Sequence, residues 1–160
     1  MATRTPDHAF DIAGSPAFKL VKLANLVTQE FEREIAAQLD ISVVEWRVIA
    51  ALHRCEQVTA AEVTRITGHN AMVISRAVNR LVDEERVSRA KDDDDNRRLL
   101  LRLTTKGQDI FERISPMALR VEASLFGDIP PQDLLAVDRF LGRGLDTLGQ
   151  RPGSRPRREP

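Results

Sequence analysis

Cysteine occurs once, at Cys55, and tyrosine not at all; six phenylalanines and one tryptophan bring the aromatics to 4% of the 160 residues. A single thiol excludes an intramolecular disulfide and fits a reducing compartment. No stretch approaches the ~20 apolar residues of a membrane span. The first ten residues hold no apolar run of signal-peptide length. A cytoplasmic bacterial protein without a membrane partner is the expectation. An excess of one charge is also missing, since 24 basic and 24 acidic residues sum to zero. Nucleic-acid binders often carry a basic excess, so such a partner has to be sought in where the charges sit, not in their sum.

Chemistry-bearing patterns are scarce too. His8, His53 and His69 make no metal-ligand spacing with Cys55. The acidic run Asp92–Asp95 fails as a calcium loop. Its sixth and twelfth places hold Arg97 and Leu103, where such a loop needs Gly and Glu. No strand-turn-helix carries a nucleophile, and no Gly-rich phosphate loop is present. The expectation is neither an enzyme nor a metal or cofactor protein.

What remains is Leu, Ile, Val and Ala in regular periods, in a chain that is 42% hydrophobic. That suffices for one ordinary core of helices packed on helices. Residues 1–14 read as a flexible arm, and the basic tail 151–160, RPGSRPRREP, as disordered. Ser15 and Pro16 start a helix, which Leu20, Leu23, Val27, Phe31 and Ile35 continue at helical spacing to about Leu39. Ser42 with Glu45, and Thr59 with Glu62, are two capping boxes. The first opens a helix with Trp46, Ile49 and Leu52 on one face; the second opens a short helix that Gly68 ends. Asn70 caps the next, bearing Ile74, Ala77, Val78 and Leu81.

Val87–Lys91 and Leu99–Leu103 then have strand character around the polar loop KDDDDNRR. Thr104 caps a long helix that Pro116 should kink. Pro130 and Pro131 break the chain before a last helix with Leu134, Val137, Leu141, Leu145 and Leu148. The fold class is mainly α with a small β-hairpin wing: a winged helix-turn-helix over 41–104, flanked by an N-terminal dimerisation helix (15–40) and C-terminal dimerisation helices (105–150). The terminal apolar stripes are too long to bury on one small lobe, which calls for a homodimer using Leu20, Val27, Leu134, Leu141 and Leu148.

At about 100° per residue, Met72, Ser75, Arg76 and Asn79 fall opposite the apolar face of the fourth helix. Arg, Asn and Ser hydrogen-bond base edges and phosphates. No acidic residue lies between Asn70 and Val82, and a helix N-terminus favours phosphate. A solvated helix face has the same composition. The capped helix before it and the hairpin after it favour a reading head for double-stranded DNA, built on Asn70, Met72, Ser75, Arg76, Asn79 and Arg80.

These are the residues that resemble the MarR family of regulators. Ile41–Val48 is similar to that family's entry into its second helix, and Ile74–Val82 to its recognition helix. Arg89, then Asp95, Asn96 and Arg97, then Leu103–Gly107, resemble its wing and the start of the next helix. The resemblance spans roughly residues 15–148. It implies a homodimer with interleaved terminal helices and two wings flanking a pseudo-palindromic operator. It implies that Arg97 reaches the minor groove and that Asp95 orients the basic groups beside it. It further implies a repressor released by a small aromatic-acid or phenolic effector, for which Trp46, Arg47 and His53 are the candidate lining. The sequence departs from the family's pattern at Asn96, where many members carry Arg and for which Arg98 is the expected substitute as a DNA contact, and in the four acids Asp92–Asp95. Those acids either point away from DNA or pair with Arg89, Arg97 and Arg98. Two other readings stand beside this one: a winged helix that binds protein or RNA, and a thiol-based redox sensor through Cys55, which has Arg54 beside it in the sequence.

Overall fold

A computed structural model describes residues 11–36, 39–55, 57–92, 95 and 98–149. The element order is α1 (Pro16–Ala36), α2 (Val43–Arg54), α3 (Ala60–Thr67), α4 (Ala71–Asp83), β1 (Val87–Lys91), β2 (Leu99–Leu103), α5 (Thr105–Phe126) and α6 (Pro131–Gly149). The chain forms two compact units, one ending at Val121 and the other starting at Glu122. The arm and the tail read from the sequence, apart from residues 11–14, lie outside the described residues.

Both capping boxes form. The Ser42 hydroxyl accepts from the Glu45 N–H at 3.2 Å, and Glu45 Oε2 accepts from the Ser42 N–H at 2.7 Å. Thr59 and Glu62 repeat the arrangement at 3.3 and 2.7 Å. Each box satisfies N-terminal donors that the helix leaves free. Gly68 stops α3 in the left-handed region at φ 71°, a conformation in which a side chain is strained. Asn70 Oδ1 then accepts from the Val73 N–H at 2.9 Å and starts α4.

The core of the first unit lies where α2, α3 and α4 meet the sheet. Ile49, Val63, Ile74 and Leu81 are fully buried, as is Ile114 of α5. The first part of α5 therefore belongs to the winged-helix core, although the sequence pattern assigns everything after 104 to dimerisation. α5 runs unbroken through Pro116. α1 contributes Ile35 to the core but leaves Leu20, Val21, Leu23 and Leu26 exposed. Its described residues run to Ala36, and beyond the undescribed 37 and 38 the Leu39 N–H donates to the Ile35 carbonyl at 2.9 Å.

β1 and β2 pair antiparallel, with Val87 opposite Leu103 and Arg89 opposite Leu101. Val58 adds an isolated bridge to Leu101 on the other edge of β2. That makes Leu101 the centre of the small sheet and buries its side chain in the core. In the second unit, α6 buries no residue; Leu135, Phe140, Leu145 and Leu148 are exposed.

Candidate nucleic-acid interface

α4 is strongly two-faced. Ile74, Ala77, Val78 and Leu81 are buried, while Met72, Ser75, Arg76, Asn79 and Arg80 are exposed. The buried set fixes the roll of the helix, and the helix in turn presents Ser75 and Arg76 one after the other on its outer surface. Met72 is 65% exposed. Arg76 has no ion-pair partner among the described residues. Asn70 is at the N-cap, so its side-chain oxygen is committed to the helix.

The other two polar residues of this face are engaged within the protein. The Arg89 guanidinium, on β1, donates to Asn79 Oδ1 and ties the wing to α4. Arg80 is enclosed by carboxylates. Its Nε donates to Glu84 Oε1 at 2.9 Å, and one terminal nitrogen donates to Asp40 Oδ1 at 2.9 Å; the other lies 3.4 Å from Glu45 Oε1. The hydrogen bond to Glu84, then that to Asp40, then the charge of Glu45 hold its proton more tightly than usual. Arg80 is exposed on the face where the sequence places it, with its guanidinium paired to carboxylates of the same chain.

In the wing, Arg98 lies 3.5 Å from Asp92 and 3.8 Å from Glu62 of α3. Main-chain bonds from Asp92 N–H to the Arg98 carbonyl (3.1 Å) and from Arg98 N–H to the Asp95 carbonyl (2.8 Å) close the turn. One acid of the run thus pairs with a wing arginine. Arg97, Asp93, Asp94 and Asn96 lie outside the described residues. Glu62 is held below the usual carboxylate range, first by the Thr59 N–H, then by its hydroxyl, with Arg98 and Arg65 adding attraction.

The three candidate effector residues do not converge. Trp46 and His53 are seven apart and share one face of α2, whereas Arg47 is about 100° away. Trp46 is buried and stacks on Phe111 of α5 with ring centroids 5.5 Å apart. His53 stacks on the same Phe111 at 3.6 Å, and its Nδ1 lies 3.2 Å from Gln108 Oε1. Gln108 turns its amide nitrogen to Glu112, so the histidine nitrogen is the donor. Arg47 instead bridges Thr28 Oγ1 on α1 (3.1 Å) and His69 Nε2 (3.2 Å).

The hollow beside His53, about 370 Å³, is lined by Leu52, His53, Gln57, Arg102, Leu103 and Gln108. Sequence reasoning missed Gln57, Arg102 and Gln108. The bridge at Val58 and the β2-to-α5 connection bring them together, and neither has a local signature. Cys55 is half-buried at the C-terminus of α2. Among the described residues, no group of three His, Cys, Asp or Glu is placed to hold a metal ion. No helix among them is long and apolar enough to cross a membrane.

The model of the MarR family matches residues 39–98. The multiple antibiotic resistance protein MarR of Escherichia coli (strain K12) is 26% identical over 98 residues, covering 61% of this chain and 68% of that protein. Bordetella bronchiseptica BpsR, whose DNA binding is regulated by 6-hydroxynicotinic acid, shares the fold with a TM-score of 0.76 at 20% identity, over 86% of this chain and 97% of its own. A mutant of E. coli MarR complexed with operator DNA has a TM-score of 0.65 at 22% identity, over 81% and 95% of the two chains. MarR-family proteins are transcription regulators, not enzymes.

Proposed function

We propose that the chain, whose residues 39–98 match the model of the MarR family, is a repressor that binds a pseudo-palindromic duplex operator as a homodimer and is released by a small aromatic acid or phenol. The carrying observation is the outer face of α4. Met72, Ser75 and Arg76 stand exposed in its N-terminal half, and the first acid after Asn70 is Asp83. A helix with that distribution enters the major groove N-terminus first, with Arg76 in position for a bidentate contact to guanine. Arg97 supplies the wing's minor-groove contact and Asp95 orients the basic groups around it. Arg98 serves mainly to brace the wing on α3. The E. coli relative's complex with operator DNA supports this reading.

The dimer reading is supported separately by two apolar surfaces, Leu20, Leu23 and Leu26 on α1 and Leu141, Leu145 and Leu148 on α6. Neither has enough of its own unit to cover it. For the effector, the hollow at His53 has the size of a small-molecule site. Arg102 offers a carboxylate partner, and Leu52 with Leu103 an apolar wall. An aromatic acid regulates DNA binding in BpsR.

Selection from a random duplex library, followed by titration of the recovered site and of random sequence, tests the reading. Arg76→Ala is expected to weaken the selected site by about 1–3 kcal/mol more than random DNA. An equal loss on both makes Arg76 a phosphate contact, and no loss removes α4 from the groove.

A further inference from the structure

The three nitrogens of Arg80 each face a different carboxylate, and those carboxylates come from three places in the chain. Glu84 is one turn further along α4, Asp40 is in the connection between α1 and α2, and Glu45 is in the first turn of α2. Arg86 reinforces the cluster, lying 2.9 Å from Glu84 Oε2 and donating to the Asp40 carbonyl at 2.8 Å. Three acids against two bases leave an excess negative charge beside the C-terminal half of α4.

Not all of these contacts carry equal weight. The Asp40 side chain is 85% exposed, and such a pair alone contributes little. Glu45 is different, with its side chain 4% exposed. Its two oxygens are divided: Oε2 takes both the N–H and the hydroxyl of Ser42 in the capping box, and Oε1 faces Arg80. A buried carboxylate is costly unless it is paired and hydrogen-bonded, so Glu45 ties Arg80 to α2, while Asp40 adds a second partner at the surface.

We propose that Glu45 and Asp40 hold the Arg80 guanidinium off the DNA backbone and so lower the sequence-independent affinity of the chain for duplex. Resting on the duplex-binding reading above, this adds a role for residues that touch no DNA. A free arginine at this place on a reading helix would gain affinity from any phosphate, without regard to sequence. Binding of wrong sites would rise as much as binding of the right one. Pairing the charge keeps that sequence-independent gain down and leaves the base contact to Arg76, one turn earlier. The same contacts fix the N-terminus of α2 against α4 and so set the angle at which Ser75 and Arg76 are presented.

Asp40→Asn and Glu45→Gln separate these roles, because a glutamine still serves a capping box while losing the charge. The experiment is a salt titration on duplex of random sequence, with each variant and the pair, in the Arg80 and the Arg80→Ala backgrounds. Far-UV circular dichroism and thermal midpoints confirm that each folds; Asp40→Asn, at an exposed site, is the variant least able to disturb folding. With Arg80 present, the paired substitution is expected to tighten random-duplex binding about 3- to 10-fold near 0.1 M salt. The slope of log K against log salt should steepen by about 0.9, the value for one more phosphate neutralised. In the Arg80→Ala background the gain should vanish. A gain that persists without Arg80 reports only the removal of repelling charge and overturns the proposal, as does no gain with Arg80 present. If the wild-type chain binds no duplex at any salt, it is the functional reading that falls, and the proposal falls with it.

Discussion

Gly107 lies directly against the main-chain carbonyl of Arg86: a Cβ at residue 107 would stand 2.1 Å from that oxygen. The approach is fixed from both sides. Thr104 N–H donates to the same carbonyl at 3.1 Å, and the Thr104 hydroxyl donates to the Glu85 carbonyl at 2.6 Å while accepting from Gly107 N–H. Glu85 itself has a positive φ of 59° and pairs with Lys106. Gly107→Ala should therefore force the start of α5 away from the β1 entry and cost about 1–3 kcal/mol, the usual range for overpacking. The urea midpoint measures it; an unchanged midpoint would show that this junction gives way freely.

Thr59→Ala removes one half of the α3 capping box and should cost about 1 kcal/mol. Glu62, the other half, gives the box a pH dependence. Its folded-state pKa is lowered, so its contribution is fully present above the ordinary carboxylate range and is lost as pH falls through the still lower folded value. Wild type should exceed Glu62→Gln in thermal midpoint at neutral pH, and the gap should close in acid. A gap that widens on acidification reverses the sign and refutes the assignment.

Arg97→Ala should lower operator affinity with little change in sequence preference, because a loop arginine gains mainly from the groove's negative potential. The salt dependence should become shallower as fewer counterions are released. Asp92→Asn acts differently, since Asp92 pairs with Arg98; it should loosen the wing's brace on α3. Unchanged affinity and slope for Arg97→Ala would mean that the wing stays off the DNA.

Leu141→Glu combined with Leu145→Glu places two charges on the exposed apolar stripe of α6. Light scattering at micromolar concentration should report a dimer for the wild type and a folded monomer for the variant. A variant that stays dimeric excludes α6 from the interface.

The elements were legible because their signals are local. Ser42 with Glu45 and Thr59 with Glu62 are three residues apart and both close as capping boxes; Gly68 and Asn70 punctuate the turn between α3 and α4. The alternation Leu99, Leu101, Leu103 gave the strand, but not the Val58 bridge on its other edge, since one residue has no period. The site was half legible. Arg76 reads correctly as exposed from helical spacing alone. Arg80 reads the same way, and only the fold reveals its pairing with Asp40, 40 positions earlier. Arg47 and His53 looked like neighbours in one helix, yet one meets Thr28 and His69 while the other meets Phe111 and Gln108. Spacing along one helix gives a direction, not what stands there.

The stack of Trp46, Phe111 and His53 has an optical consequence. With one tryptophan and no tyrosine in the chain, near-ultraviolet emission comes essentially from a single indole, buried in the core of the winged helix. Phe111 stands between that indole and the imidazole that lines the hollow. A molecule settling beside His53 perturbs a ring in van der Waals contact with the ring next to the fluorophore. On the effector reading proposed above, the indole is an unlabelled reporter of occupancy, readable while DNA is present, because nucleic acid contributes almost no emission of its own.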